Sequence, residues 1–209
     1  MSLSPFKRIA ALMLALVSAP AFSAEITDSA GRKVEIDAPA KRVIVGEARQ
    51  IHVIAALKND TTFDTIVGWR DDVITKDPDS YQAYLERFPQ IAKLPKFGYL
   101  PQGDFSLEQA ISLSPDVITL NLEVEKTAKE SGFEEKAAAA GIKVVYVDFR
   151  LNPDKNSENS IRNLGVIFGA EKKAEEFIAY RRDQIALVTD KLAATKDLKR
   201  PNVFIERAP

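Results

Sequence analysis

Along most of this chain, short apolar runs rich in β-branched residues alternate with longer stretches of helical periodicity. Residues 42–46 (RVIVG) form one such run, closed by a glycine and suited to a strand buried on both faces. Residues 65–68 (TIVG), 116–120 (DVITL) and 143–147 (KVVYV) predict three more strands. Helices are expected over 50–57, 79–88, 126–140 and 156–168. Asp79 or Ser80 reads as the cap of the second, while Gly141 and Gly169 close the last two. Ser106 and Gln109 fit a capping box that opens one further helix. Ahead of all these, 25–37 reads as a hairpin around the turn signal Ser29-Ala30-Gly31, ended by Pro39. Strands alternating with helices at this spacing mean a parallel sheet with right-handed crossovers, hence an α/β, Rossmann-like lobe.

The final stretch has a different pattern. Ala174, Phe177, Ile178, Ile185, Val188 and Leu192 recur at helical spacing, predicting one helix over 171–195, about 37 Å long. Glu171 suits its positive N-terminal end, and Lys191 and Lys196 its negative C-terminal end. Residues 202–206 (NVFIE) then begin another strand just before the chain ends at Pro209. The expected organisation is an N-terminal α/β lobe over 24–170, a connecting helix over 171–196, and the start of a truncated second lobe over 197–209. With half a cleft, this chain is expected to bind ligand poorly.

At the opposite end, Lys7 and Arg8 precede an apolar run over 9–17, followed by Ser18, Ala19, Ala21 and Ser23. That is the three-part pattern of a secretory signal, expected to occupy residues 1–23, with cleavage after Ala21 or Ser23. The run is shorter than the roughly 20 residues needed to span a bilayer.

Charge and composition remove several function classes. With 29 basic and 30 acidic residues spread along the chain, there is no clustered basic excess for nucleic acid. Having no cysteine, the chain cannot form disulfides, thiolate nucleophiles or cysteine metal sites. No G-x-G-x-x-G follows the first strand, and no G-x-x-x-x-G-K-[ST] occurs, so nucleotide binding is unsupported. No G-x-S-x-G elbow is present, and His52 is the single histidine, so neither a catalytic set nor a resident metal or cofactor is expected.

In open parallel sheets, ligands bind beyond the carboxyl ends of the strands. The residues directly after the predicted strands are therefore the candidates: Glu47 and Arg49; Trp69, Arg70, Asp71 and Asp72; Asn121 and Glu123; Asp148 and Arg150. The loop 97–104 (FGYLPQGD) adds Tyr99. Arginine forks match carboxylate, catecholate or hydroxamate oxygens, and Trp69 and Tyr99 offer flat aromatic surfaces. Arg49, Trp69, Arg70, Tyr99 and Arg150 form the expected ligand set.

Several segments then resemble one known family. Residues 28–32 (DSAGR) through 39–45 (PAKRVIV) resemble the opening of periplasmic binding proteins for siderophores, heme and cobalamin. Residues 105–108 (FSLE) through 113–118 (LSPDVI), then 141–145 (GIKVV), 163–165 (NLG), 168–174 (FGAEKKA) and 199–204 (KRPNVF), are similar to the family's later landmarks in order and spacing. The resemblance implies two α/β lobes joined by a long helix, with ligand held between them. It also implies a monomeric periplasmic component of an ABC importer that captures an iron chelate, chiefly a ferric siderophore, and delivers it to an inner-membrane permease. Glu108 matches the acidic position that docks on the permease. The alternatives are a heme or cobalamin binder of the same family, or an exported hydrolase on the same scaffold.

Overall fold

The computed structural model describes residues 22–195 and 202–204. Apart from Phe22 and Ser23, which open the first strand, the expected signal lies outside the described residues. So does part of the strand expected over 202–206, and Asn202, Val203 and Phe204 belong to no regular element.

The chain opens with an antiparallel hairpin of β1 (Phe22–Thr27) and β2 (Lys33–Ala38), with Ile26 opposite Val34. Then come β3 (Val43–Val45), α1 (Ile51–Lys58), β4 (Ile66–Arg70), α2 (Asp72–Lys76), α3 (Pro78–Arg87), β5 (Lys96–Phe97) and α4 (Leu107–Ser112). The rest is β6 (Val117–Asn121), α5 (Glu125–Glu130), α6 (Phe133–Ala139), β7 (Lys143–Val147), α7 (Pro153–Phe168) and α8 (Glu171–Ala194). Five strands form one parallel sheet in the order β5-β4-β3-β6-β7.

The non-alternating strand sequences arise from a sheet covered on both faces. Successive strand side chains point to opposite sides. Val43, Val45, Trp69, Val145 and Val147 pack on one face against Ile51 and Ile54 of α1 and Ile161 and Leu164 of α7. Ile44, Ile118, Leu120, Val144 and Tyr146 pack on the other against Leu107, Ala128, Phe133 and Ala137. Burying each large apolar side chain stabilises the fold by about 1.5–3 kcal/mol. Both faces must therefore be apolar along every central strand.

Four local differences from the expected elements have simple causes. The helix expected over 126–140 is two helices, because Gly132 adopts a left-handed φ of +69° that turns the chain between α5 and α6. Asp77, not Asp79 or Ser80, caps α3. Its carboxylate accepts from the Ser80 amide at 3.3 Å, and Pro78 fills the first helical position, where no amide donor is needed. The short α2 and β5 hold too few residues to show a period. Finally, β4 runs on through Trp69 and Arg70, two residues past its expected end at Gly68.

Helix α8 packs its first half on the lobe and leaves the second half bare among the described residues. Ala174 and Ile178 are buried, whereas Tyr180, Ile185, Leu187, Val188 and Leu192 are largely exposed.

Candidate functional site

The order β5-β4-β3-β6-β7 fixes where a crevice opens. From β3 the chain moves outward to β4 and β5, then returns across β3 to add β6 and β7 on the other side. Connections leaving β3 and β6 diverge, so their carboxyl ends flank a gap at this switch point. A cavity of about 280 Å³ lies there, lined by Glu47, Arg49, Gln50, Val53, Asn121, Phe149 and Arg150.

Each lining residue is set by the turn that carries it. Gly46 ends β3 so close to β6 that a β-carbon would lie 2.5 Å from Leu120 Cδ2 and 2.6 Å from the Thr119 carbonyl oxygen. Only glycine allows the turn to begin at once, which puts Glu47 at the mouth of the gap. The short 3-10 turn Ala48–Gln50 is pinned from α2, where Asp72 Oδ1 accepts from the Ala48 amide at 2.8 Å. Gln50 is buried and fixed by β6. It donates from Nε2 to Asn121 Oδ1 at 3.0 Å and accepts from Thr119 Oγ1 at 2.7 Å. Arg150 is held by the turn after β7. The buried Asp148 carboxylate accepts from the Arg150, Leu151 and Asn152 amides and from Asn156 Nδ2, at 2.8–2.9 Å. Burial pushes the Asp148 carboxyl up, but these hydrogen bonds outweigh it and hold the group below its ordinary range.

The arginines converge, and on a carboxylate. Arg49 Nη2 lies 2.5 Å from Glu47 Oε1, and Arg150 Nη1 lies 3.8 Å from the same oxygen and 3.2 Å from Glu123 Oε1. Asp72 Oδ2 accepts from Arg49 Nε at 3.3 Å and stands 3.8 Å from Arg70 Nη1. The Arg70 guanidinium lies 4.2 Å over the Tyr99 ring, a cation–π contact that holds both at the end of β4. Burial pushes the Glu47 carboxyl up, Asp72 and Glu123 add to the rise, and Arg49 and Arg150 oppose it.

The expected ligand set is thus brought together in part. Arg49 and Arg150 line the cavity, and Arg70 and Tyr99 stand beside it through Asp72. Trp69 is different. It is fully buried, edge-on to Phe63 at 5.6 Å and 6.1 Å from Tyr81, with its indole N–H unpartnered among the described residues. Because β4 extends through residue 70, Trp69 is a strand residue facing the core rather than a loop residue facing ligand. Glu47 and the Gln50–Asn121 pair are outside the expected ligand set, yet they line the cavity. Glu47 stands among the strand-end residues, but nothing in its local pattern distinguishes a buried glutamate from a solvated one.

Two other residues lie apart from the cavity. His52 contacts Tyr84 Oη through Nδ1 at 3.1 Å and Asp77 Oδ2 through Nε2 at 3.2 Å. Glu108 is exposed in the first turn of α4, whose cap Ser106 accepts from the Gln109 amide at 3.1 Å. In a strand–helix–strand unit the helix starts at the carboxyl end of the sheet, so Glu108 shares the cavity's end of the lobe.

Residues 43–208 match the sequence profile of the periplasmic binding protein family. The chain belongs to this family. Its fold is similar to that of the TroA-like periplasmic binding protein FepB from Veillonella parvula, at 28% identity and a TM-score of 0.77, covering 84% of this chain and 51% of that one. It is also similar to the molybdate periplasmic binding protein MolA of Haemophilus influenzae, at 20% identity and a TM-score of 0.64 over 81% and 54% of the two chains. Staphylococcus aureus SirA, solved with staphyloferrin B, aligns at 22% identity and a TM-score of 0.53 over 83% and 52%. No curated protein sequence matches the chain. This periplasmic binding protein chain spans about half the length of these solved relatives. The family and these neighbours are binding proteins, not enzymes.

Proposed function

We propose that this lobe is the ligand-capturing half of a periplasmic component of an ABC importer for an iron chelate, with a ferric siderophore as its cargo. The observation that carries this reading is the convergence of Arg49 and Arg150 on one cavity at the switch point, with Arg70 and Tyr99 beside it. Two guanidinium forks at the mouth of a small cleft suit the anionic oxygens of a chelate. Two structural neighbours carry ligands that fit such a cargo: SirA was solved with staphyloferrin B, and BauB with a complex of acinetobactin and ferric iron. Helix α8 is read as the connector to a second lobe, whose approach would cover the exposed apolar residues 180–192. The N-terminal pattern over 1–23 is read as the export signal.

Calorimetry with a ferric siderophore on the two-lobed protein tests the site. Arg49→Ala and Arg150→Ala are each expected to weaken binding by about 1.5–3 kcal/mol, the scale of a charged hydrogen bond. Arg70→Ala is expected to weaken it too. Wild-type affinity in all three variants would overturn the assignment.

Glu108 is read as the permease-docking residue. It is exposed, at the cavity's end of the lobe, and outside the cavity lining. Glu108→Ala is expected to leave chelate affinity unchanged and slow uptake, and Glu108→Arg to slow it further through like-charge repulsion. Uptake measured with radiolabelled iron decides the point, and wild-type rates in both variants would reduce Glu108 to a helix-dipole partner.

A further inference from the structure

Glu47 occupies the centre of the site, and no recognition role accounts for it. Its side chain is only 6% exposed. Oε2 is buried and makes no hydrogen bond to the described residues. Oε1 faces Arg49 at 2.5 Å and Arg150 at 3.8 Å. The other charges around it come from neighbouring elements. Asp72 on α2 and Glu123 after β6 are both negative and raise its proton affinity. Arg70 on β4 reaches Asp72 instead. Gln50 is committed to Asn121 and Thr119. Among the described residues, Arg49 and Arg150 are therefore the only counter-charges paired with Glu47.

Both arginines are proposed to meet the ligand, and the role of Glu47 depends on that assignment. A guanidinium that turns to a chelate oxygen leaves Oε1. The carboxylate would then be an isolated buried charge facing two other carboxylates, an arrangement that costs more than taking up a proton. We propose that Glu47 is a proton acceptor coupled to capture: as anionic oxygens of the ligand engage Arg49 and Arg150, Glu47 takes one proton from solvent. The balance is one carboxylate and one solvent proton giving one carboxylic acid, with no other group changed. Because the liganded state then binds more protons than the free state, affinity rises as pH falls, by up to about tenfold per pH unit for one proton. Glu47 is thus a positioning residue in the free protein, where it holds the two arginines at the cavity, and a proton store in the complex.

Carboxyl-13C NMR of glutamate-labelled protein tests the coupling without any ligand. Glu47→Gln identifies the Glu47 resonance by its disappearance. In an Arg49→Gln/Arg150→Gln protein, which imitates the loss of both counter-charges, Glu47 is expected to stay protonated to a pH higher by at least about one unit than in the wild type. Titration at the same pH in both proteins would overturn the proposal. The second measurement uses ferrioxamine B, calorimetrically, in two buffers of different ionisation heat. Wild type is expected to take up as much as one proton per complex and Glu47→Gln none, and it decides alone should the double variant not fold. Equal uptake by the two proteins would also overturn it. Should the single arginine variants keep full affinity for ferrioxamine B, the reading of the site has failed. Should they lose affinity with no proton uptake by wild type, only the coupling has failed.

Discussion

Replacing Asp28 by alanine is expected to remove about 3 kcal/mol or more from the unfolding free energy, the scale of leaving several donors around one buried carboxylate without it, at about 1–3 kcal/mol each. The Asp28 side chain is fully buried, and both of its oxygens are used. Oδ1 accepts from the Ala30 and Arg32 amides, both at 3.0 Å, which shapes the β1–β2 turn. Oδ2 accepts from Arg32 Nε at 3.0 Å, from Arg32 Nη2 at 2.7 Å and from the Tyr146 amide at 3.3 Å. Arg32 in turn donates to Glu134 Oε2 and to the Val144 carbonyl, both at 2.8 Å, and lies 4.5 Å over the Tyr146 ring. Tyr146 Oη donates to Glu134 Oε1 at 2.6 Å, and burial together with that bond pushes the phenol up. The network fastens a two-stranded hairpin, marginal by itself, to β7 and α6. Asp28→Ala leaves the Ala30, Arg32 and Tyr146 amides and Arg32 Nε without their acceptor, while the rest of the guanidinium keeps Glu134 and the Val144 carbonyl. Urea unfolding of the chain measures the loss. A change below about 1 kcal/mol would mean that water replaces the carboxylate and that Ile26, Ile36 and the bonds from Ser29 to Tyr146 and from Asn159 and Asn163 to Thr27 hold the hairpin without it.

That network is only half visible in the sequence. The turn signal at 29–31 marks the hairpin, but Asp28 and Glu134 lie far apart along the chain, and nothing local joins them. The strands are legible for the opposite reason. A sheet covered on both faces demands β-branched apolar residues along its central strands, and 42–46 and 143–147 supply them. Long helices ended by Gly169 or begun at Glu171 are legible from their period. Boundaries fail where one residue's chemistry rules. Gly132 cuts a helix that alanine content makes look continuous, and Pro78 moves a cap to Asp77. For the site, topology carries most of the information, since residues at strand ends of a parallel sheet meet at the switch point whatever their identity. It locates Arg49 and Arg150. Burial is beyond its reach, so it does not separate the buried Glu47 from the other strand-end candidates and leaves Trp69 in a loop, although the residue lies within β4 and faces the core.

Trp69 gives the second large effect. Trp69→Ala is expected to cost about 3–5 kcal/mol, as large aromatic deletions in packed cores do. The ring meets Phe63 and Tyr81 and belongs to one core cluster with Val45, Val73 and residues of α1 and α3, so the cavity left behind is hemmed in by packed elements. The indole N–H has no partner among the described residues, which separates packing from polarity. Trp69→Phe keeps an aromatic ring, removes the unpartnered donor and is expected to cost under about 1.5 kcal/mol. It is expected to leave chelate affinity within about twofold, because Arg70, the next residue along β4, points the other way toward Tyr99 and the site. Thermal unfolding and calorimetry on the same Trp69→Phe protein make the comparison. A folded variant that binds a ferric chelate about tenfold more weakly would put the indole on the ligand and return Trp69 to the binding set.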